Sequence, residues 1–329
     1  MSKLYRSSAL AVVAVILLLA SLPLTALTGS RADTAHANRT AELADTSAMA
    51  AQQTASAAQQ TASAAERSAA AANPAAADLA AAAPAPAVPA QADGAFHFGF
   101  KRSKGGQPAS IDEEGFKDIL EKHRAIFRGT SSAVPGAKDL YLTFDNGYEN
   151  GFTPAILDVL RDKKVPAIFF LTGHYVLSKP ELVKRMAAEG HLIGNHSWSH
   201  PDMTQVSDGK IREELAKVKA SVTELTGVPK MAFVRPPRGI FSERVLRVCA
   251  EEGYSNVFWS VAYKDWDPNE QRGADYAYRQ VMAQLHPGAV ILLHSVSRDN
   301  TQALARIIDD ARKQGYEFKS LDSIAARTY

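Results

Sequence analysis

Five apolar runs in this chain stop at residues able to ligate a metal, move a proton or hold a charge. DLYLTF ends in Asp145 and Asn146, and HLIGN leads into His196 and His200. MAFV stops at Arg235, NVFWSVAYK reaches Asp265 and Trp266, and AVILL stops at His294. One polar group behind an apolar run is ordinary, but five of them make a site wherever the strand ends converge. His196 and His200 stand four apart in NHSWSH. On a helical turn, positions i and i+4 share a face, so both imidazoles would reach one cation. Two nitrogens are too few for a catalytic centre, which needs a third ligand and one position left open for water or substrate. Alone, HxxxH more often means paired surface histidines. Its place directly behind a core-like run favours the metal.

The elements that must carry these residues follow from periodicity. Short apolar runs alternate with amphipathic helical stretches, from DLYLTF and TPAILDVLRDKK through to TQALARIIDDARKQG and YEFKSL. Such alternation implies parallel strands joined by helices. Gly190, Gly253 and Gly315 each follow a last helical turn and directly precede a strand, which suits left-handed C-caps. Ser242 suits an N-cap. Roughly seven strands in about 230 residues predict an α/β fold, a distorted or incomplete (β/α) barrel, with a doubly wound open sheet as the rival. Residues 139–329 would form the catalytic domain. Residues 96–138 read as a loop and one helix packed beside the first strand.

TFDNG (143–147), HSWSH (196–200), RPPRG (235–239), DW (265–266) and ILLH (291–294) occur in this order. Over roughly residues 139–320 the chain thereby resembles the polysaccharide deacetylase, or NodB-homology, family. TFDNGYENG, TGHYV, GNHSWSHPDM, RPPRGIFSE, VFWSVAYKDW, HPGAVILLHSVSRDN and the earlier FGFKRSK look closest to its delta-lactam-biosynthetic de-N-acetylases of spore-forming bacteria. The resemblance implies hydrolysis of the N-acetyl group of an amino sugar in peptidoglycan, N-acetylmuramic acid on the way to the muramic delta-lactam of spore cortex. It also implies roles. Asp145 matches the catalytic base and His294 the general acid; Arg235 matches the group that holds the base, and Asp265 the one that orients the acid. His196, His200 and residue 146 match the ligands of a divalent ion, for which zinc, cobalt and manganese all tolerate the donor types. The family's usual pattern has aspartate where this chain has Asn146. An amide oxygen is neutral and a poorer donor, so the ion is expected to be weakly held, though a less neutralised ion is more electrophilic. Two rival functions remain at this point: a glycosidase using Asp145 and Asp265 with Glu149 in reserve, and an inactive wall-binding module.

The formal charge of +2 gives no reason to expect a nucleic-acid partner. Lys3 and Arg6 precede an apolar run from Ser8 to about Leu27, and Ala35-His36-Ala37 follows. Residues 1–37 therefore read as a signal peptide or signal anchor, which would place the rest outside the cytoplasmic membrane, secreted or anchored facing the cell wall or spore cortex. Residues 38–95 read as an Ala/Gln/Pro linker in which AQQTASA at 51–57 recurs at 58–64. Peptidoglycan glycan strands are the expected partner, and oligomeric state is not legible. Cys249, the single cysteine, reads as a buried structural thiol. Trp259 reads as core and Trp266 as a groove wall for a sugar face, while Arg238 is either a substrate contact or loop scaffolding, as is Ser297 to Asn300. Glu149 and Asn150 read as loop stabilisers. His174 has no evident partner, and His36, His97, His123, His191 and His286 read as incidental.

Overall fold

A computed structural model of the chain describes residues 94–111, 115–129 and 136–324. The expected export segment, and the linker up to residue 93, lie outside the described residues. Among the described residues no helix is long and apolar enough to cross a membrane.

The central strand is β2 (Asp139–Asn146), in which every residue from Leu140 onward is buried. Burial on both faces means that both sides of this sheet are covered. Alternation sorts the side chains. Leu140, Leu142 and Phe144 join the main core, together with Ile156, Leu157 and Leu160 of α2 (Thr153–Lys163). Tyr141 packs instead with Ile168, Phe170, Val257 and Val290 on the inner face. Thr143 and Asp145 share its parity, so Asp145 is carried inward.

Further along the chain come β3 (Ala167–Leu171), α3 (Gly173–Ser178), α4 (Pro180–Ala188), β4 (Leu192–Asn195) and α5 (Asp208–Thr226). These are followed by β5 (Phe233–Val234), β6 (Ile240–Phe241), α6 (Glu243–Glu251), β7 (Ser255–Asn256) and α7 (Ala274–Met282). The last are β8 (Ala289–His294), α8 (Arg298–Lys313) and β9 (Glu317–Phe318). The sheet runs β7-β5-β4-β3-β2-β8, with β9 on the start of β2, and its pairs are parallel. It curls until its ends meet. Beyond β7 the chain crosses to β8, where Val261 bridges Ile291 and the Leu292 amide donates to the Val261 carbonyl at 2.9 Å. This closure rules out the open-sheet rival and gives a distorted (β/α) barrel.

The closure also shortens two expected strands. MAFV keeps two strand residues, Phe233–Val234, and NVFWSV only Asn256, because the chain there must bend across the seam rather than run along a neighbour. Gly190, Gly253 and Gly315 have φ of 80°, 83° and 81°, the left-handed geometry expected of them. The Ser242 hydroxyl accepts from the Val245 amide at the start of α6, as an N-cap should. Residues 96–111 and 115–129 include β1 (Phe96–His97), antiparallel to β6, and α1 (Lys117–Lys122). They do not pack principally beside the first strand. Phe98, Phe116 and Leu120 bury against Phe241, Phe258 and Trp259, so this segment covers the seam where the barrel closes.

Candidate active site

Arg235 follows β5 and is wholly buried, a costly place for a guanidinium unless its donors are used. They are. Nη1 donates to Asp145 Oδ1 at 2.6 Å, Nη2 to Thr143 Oγ1 at 2.9 Å and to the Phe258 carbonyl at 3.1 Å. Nε donates to the Val257 carbonyl at 3.2 Å, and the plane lies 4.2 Å from the Phe170 ring centre. Burial pushes the Asp145 carboxyl up, but Arg235, then His196 and His294, outweigh it and hold it below the usual carboxylate range. Asp145 is thus an ionised acceptor with Oδ1 engaged and Oδ2 available.

His196 and His200 meet, but not on a helical turn. After β4 the chain is an irregular loop in which Ser197 and His200 have φ of 64° and 56°. Neighbours distant in sequence impose that shape. The Ser199 amide and hydroxyl donate to Glu214 at 2.6 and 2.9 Å, and Glu214 is itself buried on α5. Asn195 accepts from the Ser197 amide at 2.9 Å and donates to the Leu215 carbonyl at 2.9 Å. Glu214→Ala would remove the acceptor of both Ser199 donors, while Lys210 would keep its second carboxylate, Glu213, at 3.2 Å. We expect it to cost about 2–3 kcal/mol, read as a lower urea midpoint. A loss below about 0.5 kcal/mol would show that the loop is held by other means.

His196 Nδ1 donates to the Arg235 carbonyl at 2.8 Å, which leaves its Nε2 bare. That atom lies 3.2 Å from His200 Nε2 and 3.5 Å from Asp145 Oδ2. Burial lowers the pKa of both imidazoles, and for His200, where His196 adds to the effect, to about 3. Two neutral nitrogens this close require a proton or a cation between them, and their softness suits a divalent transition ion. Asn146 is the third ligand that the family resemblance implies. It follows the outer parity of β2, is wholly buried, accepts from the Ser295 hydroxyl at 3.0 Å, and leaves Nδ2 without a hydrogen bond. Among the described residues no three His, Cys, Asp or Glu side chains group as a metal site. The residues therefore fit a divalent ion held by two imidazoles, while the Asn146 oxygen, expected as the third ligand, is engaged by the Ser295 hydroxyl.

His294 ends β8 directly beside Asp145, its register partner on β2. Its Nδ1 donates to Asp265 Oδ1 at 2.7 Å and its amide to Asp265 Oδ2 at 2.8 Å. Asn300 Nδ2, also 2.5 Å from Oδ2, fixes the carboxylate from the first turn of α8. Burial lowers the His294 pKa, but the Asp265 charge and hydrogen bond outweigh it, so the ring favours the imidazolium.

These groups open on a cleft of about 850 Å³ lined by Asp145, His196, His200, His294, Trp266 and Arg238 among others. Arg235 and Asp265 stand behind it. Trp259 is buried and donates to the Gly99 carbonyl at 2.9 Å, a core residue that also reaches the cleft. Trp266 lies 5.6 Å from the His294 ring and stacks on Phe100 at 5.3 Å, and the two are 40% and 43% exposed. Phe100 was not legible as a site residue because it comes from the seam-covering segment. Tyr148, His97 and His174 also line the cleft; the sequence places nothing beside them to mark it. Trp198 is set against Gly173, where a Cβ would come within 2.3 Å of the indole. Glu149 accepts from the Thr153 amide at 3.1 Å and from Tyr175 at 2.9 Å, and Asn150 donates to the Val296 carbonyl at 3.0 Å. Both serve the loop. Ser297 to Asn300 begin α8, Ser297 as its N-cap, which makes that stretch scaffold.

The polysaccharide deacetylase family matches residues 132–257. An uncharacterised 30.6 kDa protein of Geobacillus stearothermophilus is 53% identical over 228 residues, 69% of this chain and 84% of that protein. The peptidoglycan-N-acetylmuramic acid deacetylase PdaA of Bacillus subtilis is 48% identical over 243 residues, 74% of this chain and 89% of its own. The solved structure of that protein, a family 4 carbohydrate esterase, aligns with a TM-score of 0.67 over 72% of this chain and 98% of the other. With this similarity over most of both chains, the protein belongs to the polysaccharide deacetylase family, hydrolases of carbohydrate N-acetyl amides.

Proposed function

We propose that the chain removes the acetyl group from N-acetylmuramic acid in peptidoglycan, with Asp145 as base and His294 as acid. The supporting observation is that these neighbours in register face one cleft with opposite proton loads. Asp145 Oδ2 takes a proton from the water that adds to the acetyl carbonyl. Arg235 keeps that carboxylate ionised and aimed. His294 Nε2, left free because Nδ1 is committed to Asp265, gives its proton to the departing amine. Acetate and the free amino sugar leave, and solvent exchange restores both groups. A divalent ion such as zinc, cobalt or manganese, held by His196 and His200, would polarise the acetyl oxygen and lower the pKa of the water. The stacked Phe100 and Trp266 offer a flat apolar wall to the pyranose face.

In the same reading the chain works outside the cytoplasmic membrane, through its N-terminal export pattern, and supplies the free amine from which a muramic delta-lactam closes. The glycosidase reading is weakened because Asp265 is committed to His294 and Asn300. The test is incubation of the protein with peptidoglycan and a divalent ion. The proposal expects acetate with no new reducing ends, suppression by a chelator, and recovery on adding zinc, cobalt or manganese. New reducing ends would indicate a glycosidase, and binding without either product a wall-binding module.

A further inference from the structure

His294 is aimed by Asp265, but Asp265 stands on the crossover that closes the barrel, outside any helix or strand. Its side chain is buried, and Oδ1 and Oδ2 accept from the ring and the amide of the residue it must position. The hold from elsewhere is Asn300, whose Nδ2 donates to Asp265 Oδ2 at 2.5 Å and to the His294 carbonyl at 3.4 Å. Asn300 is 1% exposed, and its amide N–H donates to the N-cap hydroxyl of Ser297 at 3.2 Å, on the first turn of α8. A side-chain amide can flip and turn its oxygen towards the carboxylate. Tyr263 prevents this. Its hydroxyl donates to Asn300 Oδ1 at 2.5 Å. Burial, then the charges of Asp265 and Asp299, push that hydroxyl up, so it keeps the proton it donates. With Tyr263 donating at one end and a carboxylate accepting at the other, a single amide orientation satisfies the chain. A neutral donor suits this place. Arg235 holds Asp145 with a cation that takes up the carboxylate's charge, whereas Asn300 fixes Asp265 and leaves its charge for the imidazole.

We infer that Asn300, oriented by Tyr263, is a positioning residue for the reaction: it holds Asp265 so that the His294 ring keeps Nδ1 on the carboxylate and Nε2 towards the departing nitrogen. This deepens, and rests on, the reading of His294 as the proton donor of a deacetylase site. Neither Asn300 nor Tyr263 touches the substrate; both act through Asp265.

The experiment compares the full chain as wild type, Asn300→Leu, Tyr263→Phe, Asp265→Asn, and Asn300→Leu combined with Asp265→Asn. Asn300→Leu keeps the approximate volume and removes both polar ends. It should lower kcat for acetate release about 10- to 100-fold with KM within about twofold, the cost of a misplaced catalytic group. Tyr263→Phe loses one hydroxyl and keeps the ring packed on Tyr276, and should lower kcat about 3- to 10-fold. In the Asp265→Asn background, Asn300→Leu should cost less than about twofold more, because the group it acts through is already altered. Losses that multiply in full would mean a separate structural role and overturn the inference. A second readout needs no turnover. With histidine labelled with nitrogen-15, the proton on His294 Nδ1 gives a low-field resonance, assigned by its loss in Asp265→Asn. It should broaden or move upfield in Asn300→Leu, and less so in Tyr263→Phe. An unchanged resonance in Asn300→Leu, with acetate still released at the wild-type rate, would sink this inference alone. A resonance that moves as expected in a chain that releases no acetate would sink the deacetylase reading alone.

Discussion

Asp145→Asn should lower kcat/KM for acetate release by about 100- to 10,000-fold, the range for loss of a positioned base. The replacement has the same shape and can still accept from Arg235, but it cannot take a proton. Binding of the glycan should persist, because the aromatic wall is untouched. A loss of binding in step with activity would mean that Asp145 serves the site's shape rather than its chemistry. The Asp145 pKa is also a stability term. Its folded value lies below the usual 3.8, so its contribution is present above that pH and fades as pH falls through the folded value. Asp145→Asn should therefore be less stable than wild type at neutral pH, with the difference shrinking in acid.

Arg235→Met should destabilise the fold by about 3–5 kcal/mol, since breaking a buried pair leaves one charge uncompensated. Methionine fills part of the volume over Phe170 but cannot satisfy Thr143, Asp145 and the carbonyls of Val257 and Phe258. Denaturant unfolding would read this directly. The surviving Asp145 would then titrate upward, because burial, until now outweighed, would become the dominant influence. A variant with wild-type stability would show that the guanidinium is dispensable to the barrel. In that case the ionised state of Asp145 would need another source.

The strand ends were legible because a long apolar run that stops at a charged residue has few other meanings in a parallel α/β fold. Asp145, Arg235, Asp265 and His294 were found that way, and the chain brings them to one end of the sheet. The pairing of His196 with His200 was also visible, but its cause was not. A spacing of four suggests a helix, whereas the loop is set by Glu214 and Asn195 through bonds that no local pattern announces. Only the family pattern puts Asn146 with the imidazoles. Strand alternation, available from the sequence, puts it on the opposite face from Asp145. Phe100 was hidden because the segment bearing it follows neither helical nor strand periodicity. Its place is decided by aromatic packing across the barrel seam.

The pH dependence of kcat/KM, measured for wild type and Asp265→Asn, tests most directly the assignment of opposite proton loads to Asp145 and His294. His294 is raised above 6.5 by the Asp265 charge, against burial. Wild type should therefore hold its activity through neutral pH and lose it only as pH rises past the raised value. Asp265→Asn leaves burial without its main counterweight, so the alkaline limb should move to lower pH. A limb that stays where it was would contradict His294 as the proton donor.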